Sequence, residues 1–150
     1  MDLISYSFEP KDLDIIEKTL NNLVLNTYID IALLGDDGGR LVSFVSSDKK
    51  YEKEASRLSV VCAAVLGALD QLNHITHEKN SFFTEGLNKS IYIKMSQSKF
   101  FIASIFDKSV PLGSVKLFTD KAVSSLEPIL AKARQNKKEV NKINFSMLEL

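Results

Sequence analysis

One short acidic segment between two apolar runs constrains this fold more than any other part of the sequence. The segment is "LLGDDGGRLVSF", Leu33–Phe44. A glycine-rich loop that follows a strand can bind a phosphate, but a helix usually begins directly after such a loop. Here a second strand-like run follows the glycines, the Gly-Lys-Ser/Thr ending of a P-loop is absent, and Asp36 and Asp37 would repel a phosphate. The pattern therefore predicts a hairpin turn, with Gly38 in the positive-φ conformation.

The rest of the chain alternates between helical and strand periodicity. The expected elements are a helix over 9–26, strands over 28–34 and 40–46, a helix over 51–73, strands over 81–87, 90–96 and 99–106, and a helix over 111–135. This order predicts an α+β sandwich, in which a five-stranded antiparallel sheet carries helices on both faces. Pro128 is expected to kink or restart the last helix, with Ser124 or Ser125 as its cap. Residues 1–135 form the predicted domain, and 136–150 form a tail that is either flexible or partner-binding.

Composition excludes several classes of function. The chain has 150 residues, with 19 Lys plus Arg against 19 Asp plus Glu. This balance provides no field that would attract nucleic acid or an anionic membrane. The longest apolar run, "VVCAAVLGAL", is about half the roughly 20 residues that a membrane-spanning helix needs. With a single cysteine and no signal peptide, the chain is expected to be cytoplasmic, without nucleic-acid binding or direct membrane insertion.

Candidate chemical groups are few. His74 and His77 stand three residues apart, but the sequence offers no convincing further metal ligand, and the two histidines are better explained as partners of a helix C-terminus. Cys62 lies in an apolar run without a neighbouring base, as a core residue would. No Ser-His-Asp set suggests a triad. The sequence therefore predicts no catalytic residue, no cofactor and no metal.

The second predicted helix is apolar all round. Leu58, Val61, Val65, Leu69 and Leu72 form one stripe, which is expected to cover the sheet. The other side is also apolar, with small residues spaced by four, and includes Val60, Ala63, Ala64, Gly67 and Ala68. Because small residues let a second helix approach closely, this side is expected to contact another subunit. The alternative is that the terminal helices of the same chain cover it.

The first strand of the meander supports the same interpretation. It is aromatic, lacks proline, and is expected at the sheet edge, where an unprotected strand favours pairing with another chain. Phe82, Phe83 and Thr84 on this strand therefore join the predicted dimer interface. Helix and edge pairing about one two-fold axis would give an isologous dimer.

The order of these elements and their residue composition resemble the Roadblock domain of dynein light chains, and most closely its MglB-type members. The resemblance covers about 13–135 and rests on the Asp-Gly hairpin, the alanine-rich second helix and Leu112-Gly113 at the start of the last helix. It implies a profilin-like or longin-like architecture and a dimer with itself or with a paralogous Roadblock protein.

The resemblance also implies a function, namely the regulation or recruitment of a small Ras-like GTPase, with GTPase activation in trans as one form of it. Arg57, Tyr51 and Lys53 are the candidate partner contacts, without an arginine-finger role. A structural adaptor of a motor or membrane-associated complex, with no GTPase partner, remains the alternative. A longin-like or profilin-like binding domain is a more remote one.

Overall fold

The computed structural model describes the backbone of residues 6–77 and 81–148 and the side chains of residues 6–77 and 81–136. The elements follow one another in the predicted order, with a 3₁₀ turn before the second long helix and a short helix, α3, after it. Their bounds are α1 Pro10–Thr27, β1 Ile31–Asp36, β2 Leu41–Ser46, the 3₁₀ turn Lys49–Tyr51, α2 Ala55–Asp70, α3 Asn73–Thr76, β3 Ser81–Glu85, β4 Lys89–Met95, β5 Phe100–Asp107 and α4 Leu112–Leu148.

The five strands form one antiparallel sheet in the order β2-β1-β5-β4-β3. α1 and α4 pack on one face of this sheet, and α2 packs on the other. The predicted α+β sandwich, with helices on both faces, is therefore confirmed. β3 lies at one edge of the sheet, as predicted, and β2 lies at the other.

α1 forms where its periodicity predicts it. Its buried apolar residues recur every three or four positions, and they are Ile16, Leu20, Leu23 and Val24. Pro10 occupies the first turn, where its missing N–H costs nothing, and Tyr28 ends the helix in the left-handed conformation. Lys132 of α4 holds the almost fully buried carboxylate of Asp12 at 3.1 Å. This ion pair fixes α1 against α4 on their shared face.

α4 continues through Pro128, so the predicted restart of the helix at this residue is wrong. Leu126 and Leu130 are both 1% exposed, and their packing on either side of the proline holds the helix in place despite the lost backbone hydrogen bond. Ser125 Oγ donates to Ala122 O at 3.1 Å within the helix instead of capping a new one. The helical backbone runs on to Leu148, while the side chains beyond 136 of the predicted tail lie outside the described residues.

The hairpin between β1 and β2 forms, but its special glycine is not the predicted one. Gly39 has φ +94°, and it is the one glycine with positive φ among the described residues, so the assignment to Gly38 is wrong. The pairing shifts after Leu34, because Leu34 pairs with Ser43 while Gly35 pairs with Leu41. This irregularity moves the turn by one residue relative to a regular two-residue hairpin.

None of the helices within 6–77 and 81–148 combines the length and the apolar character that crossing a membrane requires.

Candidate functional site

The β1–β2 turn uses its backbone amides within the chain, which removes it as a phosphate site. Its four N–H groups donate at 2.9–3.0 Å as follows: Asp37 to Lys99 O, Gly38 and Arg40 to Asp36 Oδ1, and Gly39 to Asp36 O. The second oxygen of Asp36 accepts from Tyr6 Oη at 2.7 Å. Because no amide of this turn is left to bind an anion, the turn acts as a structural element.

Arg134 of α4 anchors the same turn, a role that the sequence did not suggest. Its guanidinium donates to Asp37 Oδ1 at 3.1 Å and to the carbonyls of Ser98 and Lys99 at 2.6 and 3.0 Å. It also lies over the Phe100 ring, 4.5 Å from the centroid. The β1–β2 and β4–β5 turns are thus held together at one end of the sheet.

Burial favours the neutral forms of the Cys62 thiol and of the Tyr6 and Tyr92 hydroxyls. Burial raises the pKa of the Cys62 thiol to about 11, which makes it a poor nucleophile at neutral pH. Burial, followed by the hydrogen bond to Asp36, raises the pKa of Tyr6, and burial together with Asp120 does the same for Tyr92. The described residues contain no group of three or more His, Cys, Asp or Glu that could hold a metal ion.

The surface that remains is the solvent side of α2. Val60 and Val61 are 56% and 52% exposed, unusually high for aliphatic side chains in the middle of a helix. Ala64, Gly67 and Ala68 continue the exposed stripe along the next two turns. These five residues are called the α2 outer face. A Cβ added at Gly67 would meet nothing within 4 Å, so the stripe is open there.

The side of α2 that packs on the sheet differs from the predicted stripe. Its buried residues are Ala55, Ser59, Cys62, Ala63 and Leu66. Small residues at Ala55, Ser59 and Ala63 let the helix approach β1 so closely that a Cβ on Gly35 would collide with Ser59 Oγ. Leu58, Val65 and Leu69 are half-buried at the margin of this core, and Val61 and Leu72 are exposed. The assignment of Val61 and Leu72 to the sheet side is therefore wrong.

Two of the predicted contact residues are buried within the subunit. Ala63 is 8% exposed on the sheet side of α2, so it offers little surface to another subunit. Tyr51 is also 8% exposed, with its ring in the core between α2 and the sheet, which corrects its placement as a surface contact for a partner. Lys53 and Arg57 are exposed next to it.

β3 presents the predicted edge. It pairs with β4 alone among the described strands, so its outer row of backbone groups faces away from the sheet. Phe82 is half-buried against the α2 side. Phe83 is 38% exposed on the opposite face, with its ring 6.3 Å from that of Phe106, and Thr84 is exposed. The predicted interface residues on β3 are therefore divided between the two faces of the sheet.

A pocket of about 310 Å³ lies beside the C-terminal half of α2. Apolar side chains, including Leu66 and Met95, line it together with the charged groups of Asp70 and Lys99. Gly67 opens onto the same pocket, so the pocket is continuous with the α2 outer face. The sequence pattern indicated the small residues of this region. It did not indicate Val61 and Asp70 as members of the site, because it assigned α2 the wrong rotation about its own axis.

Comparison with known proteins gives the fold a name. No family model matches the sequence. An uncharacterized protein of Aquifex aeolicus (strain VF5) is 26% identical over 152 residues, a match that covers 99% of this chain and 93% of that protein.

Among solved structures, Myxococcus xanthus MglB superposes with a TM-score of 0.75 at 23% identity, covering 87% of this chain and 96% of that one. An MglB with a tetrameric arrangement gives 0.78 at 19% identity, with coverage of 87% and 98%. A Roadblock/LC7 domain from Streptomyces avermitilis gives 0.69 at 13% identity, with coverage of 77% and 97%. The chain therefore has the Roadblock/MglB-like α+β fold.

Proposed function

We propose that this chain is a cytoplasmic, dimeric, non-catalytic regulator or scaffold of a small Ras-like GTPase. The observation that carries the proposal is the α2 outer face, an apolar helix surface left exposed by the described part of the chain, on a Roadblock/MglB-like fold. One MglB of this fold has a tetrameric arrangement, which is a reason to test whether this chain also self-associates.

The size of the apolar contact indicates which elements the dimer needs. Burying a valine fully contributes about 1.5–3 kcal/mol, so four half-exposed valines, two from each copy, contribute roughly 3–6 kcal/mol. A micromolar dimer needs about 8 kcal/mol. The remainder would come from pairing of the two β3 edges, with Phe82, Phe83 and Thr84 at the contact. Helix and edge contacts together therefore form the proposed interface.

The proposed role toward a GTPase follows from the same features. The β1–β2 turn has no amides to offer a nucleotide, and the thiol of the chain's single cysteine is buried. Nucleotide chemistry would accordingly take place in the partner, and this chain would supply a rigid surface built across two subunits. Lys53 and Arg57 are the exposed basic residues from which contact with a partner is proposed.

Gly67→Leu tests the assembly step. A Cβ added at this position meets nothing within 4 Å in the subunit, and leucine favours the helix by up to about 1 kcal/mol relative to glycine, yet it would block the close approach of a second helix. Gly113→Leu in α4 is the matched control, because a Cβ there also meets nothing within 4 Å. Light scattering should give a wild-type dimer at micromolar concentration, a monomeric Gly67→Leu variant and a dimeric control, and a cooperative melting transition should show that the variant is folded.

The GTPase step is tested with purified small Ras-like GTPases from the same genome, each loaded with GDP or with a non-hydrolysable GTP analogue. Calorimetry should detect binding to one nucleotide state, and Gly67→Leu should weaken it if the GTPase contacts both subunits. A wild-type protein that is a compact monomer would refute the proposed dimer. A wild-type dimer that binds none of these GTPases in either state would refute the regulatory function.

A further inference from the structure

The pocket beside the C-terminal half of α2 combines an apolar wall with charges of both signs. Ala63, Leu66 and Asp70 follow one another at helical spacing, so one side of α2 supplies both apolar surface and a carboxylate. Met95 and Lys99 contribute the end of β4 and the turn that follows it. At about 310 Å³, the pocket lies at the lower end of the size range of small-molecule sites. Its size and lining therefore match a small ligand that has an apolar part and a charged part.

The charges at this pocket do not neutralise one another. The ammonium of Lys99 makes no hydrogen bond or ion pair with any residue whose side chain the structure describes. Of the two acids, Asp37 accepts from the guanidinium of Arg134 at 3.1 Å, and Asp70 accepts from the side-chain amide of Asn73 at 2.5 Å. A carboxylate can accept several hydrogen bonds, so Asp70 retains acceptor sites for a ligand. An available cation and an incompletely used anion thus line the same cavity without contacting each other.

Lys99 also occupies a backbone position that favours a different residue. It has φ +66°, in the left-handed region, at the end of the β4–β5 turn. Glycine adopts this conformation without steric cost, whereas other residues are uncommon there. The backbone of Lys99 serves the fold, because its carbonyl accepts from Asp37 N–H and from Arg134, both at 3.0 Å. Neither contact uses the side chain. The turn therefore gives no reason for a lysine at this position, whereas the pocket does.

We propose that this pocket binds a small zwitterion with an apolar side chain, namely a free aliphatic α-amino acid. Lys99 binds the α-carboxylate, Asp70 accepts from the α-ammonium, and the aliphatic side chain packs on Leu66 and Met95. The two acids repel a simple anion and Lys99 repels a simple cation, so the separated charges select a ligand that carries both. The site is formed within one subunit. The inference therefore goes beyond the proposed function and does not rest on it.

The test is an NMR titration of the isotope-labelled full chain with L-leucine as the probe. The amide signals of Gly67 and Lys99 should shift, and their dependence on concentration should give a dissociation constant of about 1 mM or lower. Isocaproate lacks the ammonium of L-leucine, and isoamylamine lacks its carboxylate. Each should bind at least about fivefold more weakly than L-leucine, because it loses one charge-assisted contact. L-glutamate should also bind more weakly, since it places a second carboxylate against the apolar wall.

Variants with matched controls assign the two charged contacts. Lys99→Gln and Asp70→Asn each remove one charge at the pocket and should weaken L-leucine binding at least about fivefold. Lys99→Arg keeps the charge and should retain most of the binding. Lys116→Gln on α4 and Asp14→Asn on α1 make the same charge changes at exposed positions on the other face of the sheet. Both should leave the dissociation constant unchanged.

Lys99→Gly separates the role of the side chain from that of the turn. Without ligand, this variant should melt no lower than wild type, because glycine is favoured at a positive φ. L-leucine should raise the melting temperature of wild type but not that of the variant. A wild-type protein whose signals do not respond to L-leucine, or that binds isocaproate equally well, would overturn the amino-acid site. A Lys99→Gly variant that melts below wild type would assign the lysine side chain to the fold and overturn the argument from its backbone.

Discussion

A single methyl group added at Gly39 should destabilise the protein through both backbone strain and crowding. Its φ of +94° lies in the region that side-chain-bearing residues rarely adopt. A Cβ at this position would also stand 3.0 Å from the Cα of Val60, a backbone atom of α2 that cannot rotate away. The neighbouring Gly38 lacks positive φ, and its added Cβ would meet only Asp36 Oδ1, at 3.4 Å. Gly39→Ala and Gly38→Ala therefore form a matched pair.

The two substitutions should change the free energy of unfolding in opposite directions. The backbone strain of alanine at Gly39 costs about 1 kcal/mol, and the tight contact with α2 adds about 1 kcal/mol more. Gly38→Ala should be neutral or stabilising by about 0.5 kcal/mol, because it restricts the unfolded chain at a position that an L-residue can adopt. For a domain of this size, a difference of about 2.5 kcal/mol corresponds to roughly 5–10 °C in melting temperature.

Thermal unfolding followed by circular dichroism, with urea unfolding as an independent measure of free energy, checks the comparison. Equal melting temperatures for the two variants would show that Gly39 does not hold its positive-φ conformation. A second measurement concerns assembly, since the contact lies at Val60 on the α2 outer face. If that face forms the dimer, Gly39→Ala should also weaken association, and Gly38→Ala should leave it intact.

Two further predictions concern the buried side chains Ser59 and Cys62 of α2. Ser59 Oγ is buried without a hydrogen-bond partner in the described part of the chain, so Ser59→Ala should raise the free energy of unfolding by about 1 kcal/mol. Ser104→Ala, which removes a buried hydrogen bond to Thr119, should lower it by a similar amount in the same urea titration. Cys62, with a pKa of about 11, has about one thiol in a thousand ionised at pH 8, so iodoacetamide should label the native protein far more slowly than the urea-unfolded chain. Equal labelling rates would contradict its burial.

The parts of the fold that follow from local patterns were predicted well from the sequence. α1 has one apolar stripe, so its period identifies both the element and its buried face. The three strands of the meander likewise follow from β-branched and aromatic runs between turns, and their chain order places β3 at an edge.

The rotation of α2 could not be derived in the same way. A helix that is apolar all round has no single preferred face in its own sequence, so its buried face depends on what it packs against. Gly35 on β1 determines which face of α2 packs on the sheet, because its missing side chain leaves room for Ser59. Val61 is thereby turned outward. That contact joins residues 24 positions apart, beyond the reach of a periodicity argument. The positive φ lies at Gly39 and not at the predicted Gly38 for a similar reason, namely the shifted strand pairing at Gly35.

The glycine segment that first suggested a phosphate site contributes to function by another route. Asp36 and Asp37 are turned toward the chain's own amides and toward Arg134, and the turn they stabilise packs Gly39 against Val60. The turn therefore helps to fix the position of the helix whose outer face is proposed to bind a second copy. Because Arg134 also holds the β4–β5 turn, α4 is connected through this turn to the proposed interface on the opposite face of the sheet. Loss of the Arg134 contacts should therefore change the position of Val60, although the two residues lie on different sides of the sheet.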